Sequence, residues 1–337
     1  MMCRAEDDVN KSAALGVGLA ALAGASIVSL LVAFAPAAGG EGSPRQVQLG
    51  PNASLGGKRL FPDDNPWNLD ISRAPVDPNS AAYIASIGAG APLHPDFGVV
   101  YQGVPVGIPY VVVPGDQPKL PVAFDYAGES DPGPYPIPPN PPIEGGSLET
   151  ARGDRHILIL DGDNWVLYEL FAARLEGGAW HAGSGAVFDL NSNALRPAGW
   201  TSADAAGLPI LPGLVRYDEV AEQKEIRHAL RFTAQRTRRA YVYPARHFAS
   251  RLTDPSLPPM GLRVRLKASF DTSAFTPRAQ VILKALKTYG MILADNGGNW
   301  FVSGAPDARW NEQELNTLKK VKGSDFEAIS VGDIVTQ

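Results

Sequence analysis

The stretch DRHILILDGDNWVLYELF, residues 154–171, decides the fold because it predicts a β-hairpin that is apolar on both faces. Its two apolar runs, Ile157–Leu160 and Trp165–Phe171, flank the sequence DGDN at positions 161–164. Asp-Gly readily adopts the positive φ angles that tight hairpin turns require. Strands that are apolar on both faces are covered on both sides, so we expect this hairpin at the centre of a sheet.

Two ionisable residues, His156 and Glu169, interrupt this apolar pattern. A loop at 162–163, or at 161–164, places them directly opposite each other, whereas a loop at 161–162 places them diagonally on the same face. We therefore predict that His156 and Glu169 are buried and lie within reach of each other. Such a pair is typical of an active site, and also of a polar network that only fixes the fold.

The composition favours a β-rich protein with many turns. The chain has 337 residues, of which 45 % are hydrophobic, so it is not a disordered sequence. It contains 35 Gly and 30 Pro, which favours many short elements. We expect a mainly β fold, a sandwich-like or jelly-roll-like domain with two or three peripheral helices; the alternative is an α+β arrangement.

The N-terminal region predicts export. A charge-free run rich in Ala, Leu, Val and Gly lies between Lys11 and Glu41, and it is long enough to cross the ~30 Å hydrocarbon core of a membrane. Ala35-Pro36-Ala37 fits a signal-peptidase site. Residues 1–37 are therefore predicted to be a signal peptide or an uncleaved anchor. Cys3 is the only cysteine and precedes this run, so the exported part has no disulfide or cysteine metal site.

The remaining chain is divided by composition into three parts. We expect a flexible tether at 38–60, an irregular Pro-rich strap with short strands at 61–146, and a β-rich main domain at 147–337. Capping residues and stop glycines predict helices at 77–88, 201–206, 276–289 and 311–321. A second hairpin is predicted from Met291–Ala294 and Trp300–Val302, around a Gly-containing turn.

Charge is distributed unevenly along the sequence. Residues 38–225 carry 23 acids and 11 bases, whereas residues 226–290 carry 13 bases, ten of them Arg, and only two acids. An exposed arginine surface would bind an anionic envelope polymer such as an acidic polysaccharide. The alternation of Arg227 and Arg231 with apolar residues favours such a surface. The alternative is that these arginines face the acidic half of the same chain.

Known motifs exclude several functional classes. The sequence has no phosphate loop, no dinucleotide fingerprint, no His-Glu-x-x-His and no EF-hand loop, and the nearest match to a nucleophile elbow, at 182–185, lacks its first glycine. We therefore expect no cofactor and no nucleic-acid partner. The five histidines have no helical or close-strand ligand spacing, so we also expect no metal site.

Carbohydrate chemistry fits the residues that remain. Glycoside hydrolysis needs two carboxylates, one with a pKa raised by an apolar setting, and Glu169 has such a setting. Its partner would be Asp189, Asp204 or Asp295. A lyase would instead use a histidine base beside a neutralising Arg or Asn. The candidate catalytic residues are Glu169, His156, Asp189 and His228, and the candidate substrate-binding residues are Trp200, Arg196, Arg227, Arg231, Asn296 and Trp300.

Three runs of the sequence resemble segments of uncharacterised exported bacterial proteins: Trp180–Phe188, Leu195–Leu211 and Ile226–Thr233. This resemblance implies export and no particular activity. The functional expectation is an exported hydrolase or lyase acting on a polysaccharide, with an acidic polysaccharide favoured, and with a membrane contact if the N-terminal segment is uncleaved. The alternative is a non-catalytic surface protein that binds an envelope polymer.

A reporter enzyme fused after Gly40 should be active outside the cytoplasm, because the apolar run before it directs export. The measurement compares two reporters at this position, one active only outside the cytoplasm and one active only inside it. A matched fusion without residues 12–40 serves as the control. Activity of the internal reporter in the intact fusion would contradict the prediction.

Overall fold

The structure is a computed structural model that describes residues 46–101, 103–330 and 332–336. These residues form one compact unit. The predicted signal peptide or anchor, with Cys3, lies outside the described residues. The longest described helix has 12 residues, and no helix in this part of the chain is long and apolar enough to cross a membrane.

The described residues form mainly strands, so the predicted mainly β class is confirmed. The strands are β1 (Gly50–Pro51), β2 (His94–Asp96), β3 (Val100–Tyr101), β4 (Val104–Pro105), β5 (Tyr110–Val113), β6 (Val122–Phe124), β7 (Ile157–Asp161), β8 (Val166–Phe171), β9 (Arg174–Glu176), β10 (Ala179–Ala182), β11 (Ser184–Asp189), β12 (Leu230–Ala234), β13 (Tyr241–Val242), β14 (Arg263–Leu266), β15 (Met291–Asn296), β16 (Phe301–Ser303), β17 (Phe326–Ala328) and β18 (Ile334–Val335). The α-helices are α1 (Ser80–Ile87), α2 (Pro277–Thr288) and α3 (Glu312–Asn316).

The predicted hairpin, β7 with β8, lies inside a five-stranded sheet of order β1-β5-β7-β8-β11. Leu158, Leu160 and Leu167 point into one apolar cluster, which the strands of the other large sheet share. Ile157 and Ile159 point into a second cluster on the opposite face. Both faces of the hairpin are therefore covered, as the sequence predicts.

The turn of this hairpin has the length of the predicted four-residue loop at 161–164 but is shifted by one residue. Asp161 pairs with Val166, so four residues, 162–165, form the connection. The Asp161 carboxylate accepts hydrogen bonds from the Asp163 and Asn164 amides at 3.2 and 2.9 Å, and Trp165 closes the turn with φ of 58°. This register pairs Leu158 with Glu169, which places His156 diagonally from Glu169. The predicted shared face and burial are confirmed.

The Pro-rich region before the hairpin covers its second face. Tyr135 and Ile137 are buried in the same cluster as Ile157 and Ile159. Residues 46–60, for which the sequence predicts a tether, are packed instead. Gly50–Pro51 pairs with β5, and the side chains of this segment enter the main core at Leu55 and Leu60.

The predicted second hairpin is wrong, because another strand separates its arms. The six-stranded sheet has the order β17-β14-β15-β12-β16-β2, so β12 lies between β15 and β16. The connection from β15 to β16 crosses β12 at Thr233, whose hydroxyl donates to the Gly298 carbonyl at 2.7 Å and whose carbonyl accepts from the Trp300 amide at 3.2 Å. This crossing places Arg231 in the interior of the sheet.

Three of the four predicted helices are present as α1, α2 and α3, and the fourth is wrong. Residues 201–206 form an irregular loop. Ser202 accepts a hydrogen bond from the Asp204 amide at 2.9 Å and donates one to the Leu208 carbonyl at 2.5 Å. These bonds compete with helical ones, as expected for a serine side chain close to its own backbone.

Leu160→Ala should lower the free energy of unfolding by about 2–5 kcal/mol, because it leaves a cavity in a fully buried site. Chemical denaturation measures this change. Leu69→Ala, at a leucine that is 43 % exposed, is the matched control and should cost less than about 0.5 kcal/mol. Equal effects of the two substitutions would contradict the central position of the hairpin.

Candidate functional site

The candidate site is built around the buried guanidinium of Arg231, on β12. It binds the carboxylate of Asp204 through two hydrogen bonds, at 2.7 and 2.8 Å. A third donor reaches the Ser303 hydroxyl at 2.6 Å, and Asp295 lies at 3.3 Å. An Arg in this position is stabilised only if carboxylates compensate its charge. Asp204 compensates the charge here, and Asp204 and Ser303 hold the guanidinium in a fixed orientation.

A β-bulge brings Asp295 to this guanidinium. Phe232 pairs with Leu293, whereas the next residue, Thr233, pairs with Asp295, so Ala294 is an extra residue in β15. Arg231 and Thr233 are two residues apart and share a face of the sheet. A regular ladder would turn the Asp295 side chain to the other face. The bulge therefore places Asp295 beside Arg231, in keeping with the frequent occurrence of bulges next to active sites.

His156 and Glu144 form a second ionic pair, with 2.5 Å between Nδ1 and the carboxylate. The other ring nitrogen, Nε2, lies 3.0 Å from the Ala203 carbonyl, which can only accept, so Nε2 carries a proton. Burial lowers the pKa of His156, but the charge and hydrogen bond of Glu144 outweigh it and raise the pKa to about 9. Burial also opposes ionisation of Glu144, yet His156 holds the pKa of that carboxyl below its usual value.

Glu169 anchors the loop that carries Asp204. Its carboxylate accepts hydrogen bonds from the Ile210 and Leu211 amides, each at 2.9 Å, and its side chain is fully buried. Burial, and then the negative charge of Asp204, raise the pKa of Glu169 to about 7, although the two amides act against this shift. A fully buried carboxylate with these partners has no side open to a substrate.

His156 and Glu169 therefore act on the same loop, and no hydrogen bond joins them to each other. His156 holds the Ala203 carbonyl, directly before Asp204, and Glu169 holds the backbone at Ile210 and Leu211. The two predicted site residues fix the two ends of one segment. That segment carries the carboxylate that orients Arg231.

Three carboxylates around Arg231 reach solvent. The side chains of Asp295 and Glu144 are 23 % and 25 % exposed, and Asp96 is exposed at the end of β2, opposite Ser303. Burial, and then the charge of Asp204, raise the pKa of Asp295 to about 7. Burial, and then the charge of Glu144, raise the pKa of Asp96, and Arg231 opposes this shift.

Two surface grooves lie near two of these carboxylates, Asp96 and Glu144, and share Val100 in their lining. One, of about 510 Å³, contains Asp96 together with Tyr101 and Glu312. The other, of about 470 Å³, passes along Ile143 and Gly145, the neighbours of Glu144. Val100 lines both grooves, so they adjoin at the β3–β4 hairpin.

One group of described residues could hold a metal ion. The ligand atoms of Glu144, Asp154 and His156 lie within 4.8 Å of one another. Carboxylates with an imidazole suit a borderline divalent cation. The sequence predicts no metal site because the histidines lack the spacing of ligands on one helix or strand pair. A search for such spacing cannot find ligands that only tertiary contacts bring together. The Nδ1 proton of His156 already links it to Glu144 in this structure.

His228 and Asp189 lie apart from Arg231 and the carboxylates around it. His228 is buried and bonded to Glu219 at 3.1 Å, in a separate network with Arg216. Asp189 is exposed at the end of β11, and hydrogen bonds from Asn191 lower the pKa of its carboxyl. Neither residue meets the accessible carboxylates, so the predicted catalytic roles of His228 and Asp189 find no support in this geometry.

The predicted arginine surface at Arg227 and Arg231 is wrong. Arg231 is buried and paired with Asp204, and Arg227 precedes β12 and donates to the Gly57 carbonyl. Arg263 and Arg265 are also buried. Arg231 meets Asp204 of the acidic half, as the alternative predicts, whereas Arg265 pairs with Glu327 outside that half.

The remaining predicted residues lie at the edge of the site or in the core. Trp300 is fully buried and stacked between Phe232 and Phe326, so its ring offers no face to a sugar. Asn296 follows Asp295 and donates to the Thr237 hydroxyl at 3.0 Å.

Arg196 is buried and paired with Asp131. Its guanidinium lies 5.6 Å from the half-buried Trp200 ring. These contacts give Arg196 and Trp200 a structural role in the loop that leads to Asp204.

The sequence gives no local signal for three members of the site: Asp96, Glu144 and Ser303. Glu144 reaches His156 only because its amide donates to the His156 carbonyl at 3.0 Å. Asp96 reaches the site only because β2 pairs with β16. The HPDFG sequence at 94–98, which places two ionisable residues shortly before a glycine, is the one feature that could have drawn attention to Asp96.

Comparison with known protein families, with curated proteins and with solved structures finds no match for this chain.

The substitution Glu169→Gln should reduce the fall in the free energy of unfolding that occurs as pH rises. The pKa of Glu169 is about 7 in the folded chain against 4.5 as its ordinary value, so the folded state binds more protons between these values. The contribution of this group to the free energy of unfolding therefore falls as pH rises from about 4.5 to about 7. Gln cannot ionise, and the variant should lose less stability across that window.

Chemical denaturation at the two ends of this pH window measures the difference. His156, whose raised pKa acts in the same direction at higher pH, is common to both proteins. Asp116→Asn, which removes an exposed carboxylate, is the control. If Glu169→Gln and the unchanged protein lose stability equally, Glu169 does not titrate in this window.

Proposed function

We propose that this protein is a polysaccharide hydrolase in which Asp295 is the general acid and Glu144 is the ionised carboxylate. The observation that carries this proposal is the opposite displacement of their pKa values. That of Asp295 is raised to about 7, and that of Glu144 is held low by His156. Two carboxylates with diverging pKa values are the general requirement for glycoside hydrolysis.

The surrounding residues support the separation of roles. Burial, and then the negative charge of Asp204, raise the pKa of Asp295 to about 7, so that a large fraction of this carboxyl is protonated at neutral pH. The imidazolium of His156 keeps Glu144 ionised, and the Ala203 carbonyl fixes the ring. Arg231 lies beside Asp295 and opposes the rise of its pKa, so the value stays near 7 and Asp295 can both give up and regain a proton.

The reaction follows from these roles. Asp295 gives its proton to the glycosidic oxygen as the bond to that oxygen breaks. Glu144 accepts a proton from the water that adds to the sugar carbon. The proton then passes back from Glu144 to Asp295 through solvent, so that one water is consumed for each bond broken and both carboxyls return to their starting states.

The grooves support an extended substrate over a small one. Each has a volume of about 500 Å³, they share Val100, and one contains Asp96 whereas the other is lined by the neighbours of Glu144. A chain of several sugars could occupy both, whereas a monosaccharide would fill only part of one. With the export predicted from the N-terminal run, the substrate would be an extracytoplasmic polysaccharide.

Asp295→Asn should remove turnover by roughly 10²–10⁴-fold, because the amide cannot donate a proton to the leaving group. The measurement is the release of reducing ends from a panel of neutral and acidic polysaccharides, with a thermal melt of the same sample. We expect the fold to persist, since Asp204 still pairs with Arg231. Activity of the unchanged protein should fall above about pH 7, where Asp295 loses its proton.

Asp189→Asn is the matched control, since it changes an exposed aspartate away from Arg231 and its carboxylates, and this variant should keep full activity. Release of unsaturated ends instead of reducing ends alone would identify a lyase and contradict the hydrolytic assignment. Binding without turnover across the panel would favour the non-catalytic polymer-binding alternative.

A further inference from the structure

We propose that four arginines in one loop form a binding surface for the acidic groups of the polysaccharide on which Asp295 acts. We call Arg236, Arg238, Arg239 and Arg251 the arginine cluster. This inference rests on the proposed function, and it names the substrate class as a carboxylated or sulfated polysaccharide.

The four guanidinium groups differ from the buried arginines of the chain. Arg196, Arg231 and Arg265 each pair with a carboxylate. Among the described residues, no carboxylate lies within 4.0 Å of any member of the arginine cluster, and no side-chain hydrogen bond engages them. Arg236, Arg239 and Arg251 are exposed, and Arg238 is half-buried.

One acid near the cluster compensates part of its charge. Hydrogen bonds from Ser256, at 2.9 and 2.8 Å, and then the charges of Arg236 and Arg238, lower the pKa of the Asp254 carboxyl. The Arg239 guanidinium lies 5.9 Å from the Phe248 ring, which supports its planar group without neutralising it. Within the described part of the chain, the four arginines therefore share one nearby acid, and no carboxylate pairs with them directly.

The backbone that carries the cluster is fixed by hydrogen bonds. The Arg239 amide donates to the Leu252 carbonyl at 2.6 Å, which brings Arg239 next to Arg251. The Arg238 amide donates to the Pro258 carbonyl at 2.8 Å. Thr237, which directly precedes Arg238 in the sequence, is fully buried. Because the loop is already ordered, binding an anion costs less conformational entropy than it would for a flexible segment.

The same loop adjoins the proposed catalytic acid. The Gln235 amide donates to the Asn299 side chain at 2.7 Å, and Thr237 bonds to Asn296, the residue after Asp295. Arg236 lies between these two anchors. The cluster therefore lies on backbone that is bonded to the residue after Asp295, so an extended polymer bound at Asp295 can also reach the cluster.

Guanidinium chemistry sets the class of ligand. An arginine presents a planar fork of donors that matches a carboxylate or a sulfate with two hydrogen bonds. Exposed contacts of this kind are screened by salt over about 10 Å at 0.1 M. Binding should therefore be strong at low ionic strength and weak at high ionic strength.

The test measures binding of the full-length protein to immobilised alginate, dextran sulfate and neutral dextran at low and high salt. Arg236→Gln combined with Arg239→Gln should weaken binding to the two acidic polymers about tenfold and leave neutral dextran unchanged. Alginate and dextran sulfate separate carboxylate from sulfate recognition. Arg73→Gln combined with Lys320→Gln, two exposed bases outside the cluster, is the matched control.

Asp295→Asn separates this inference from the proposed function, because it should remove turnover and keep binding to the acidic polymers. Unchanged affinity in the cluster variant, or equal affinity for neutral and acidic polymers, would overturn the inference. A second arm uses anionic phosphatidylglycerol vesicles. Cluster-dependent binding to these vesicles that exceeds binding to both acidic polymers would also overturn it, in favour of a membrane surface.

Discussion

The pairing of Arg231 with Asp204 is the interaction on which the rest of the site depends. Both groups are buried, at 4 % and 1 % exposure, so neither charge could remain there alone. Removing one partner from such a pair leaves an uncompensated buried charge and typically costs about 3–5 kcal/mol. The loop from Ala203 to Leu211 therefore has to be held in place, and His156 and Glu169 do this from the central hairpin.

This arrangement links the two sheets through polar contacts within an apolar core. Glu169 belongs to the five-stranded sheet and His156 directly precedes its strand β7, whereas Arg231 and Asp295 belong to the six-stranded sheet. The loop between the two sheets carries Asp204, whose buried carboxylate pairs with the buried guanidinium of Arg231. Fully satisfied networks of this kind add rigidity and specify one arrangement, because any displacement leaves a polar group unpaired. The accessible carboxylates thus rest on a framework that cannot easily shift.

Local sequence signals were sufficient for the central hairpin, three of the four predicted helices and the β class, and they identified His156 and Glu169 as buried polar residues on one face. These features depend on alternation, turn residues and caps, which lie within a few positions of each other. They did not give the partners. Glu144, Asp96 and Asp204 reach the site through pairings between distant segments, and the separation of β15 from β16 by β12 has no local signature. The same limit explains the arginines: alternation shows which face a side chain shares, but not whether a carboxylate covers that face.

The extra residue in β15 shows that the spacing of residues can carry chemistry as directly as their identity. The methyl side chain of Ala294 has no reactive group, and the role of this residue is to shift the strand register by one position. A chain of the same composition without this shift would still form the sheet, but it would direct Asp295 away from Arg231. Related chains that keep every acidic residue and lack this insertion would therefore share the architecture without the site. Changes in length at position 294, and not only substitutions, are the alterations through which such a scaffold could gain or lose activity during evolution.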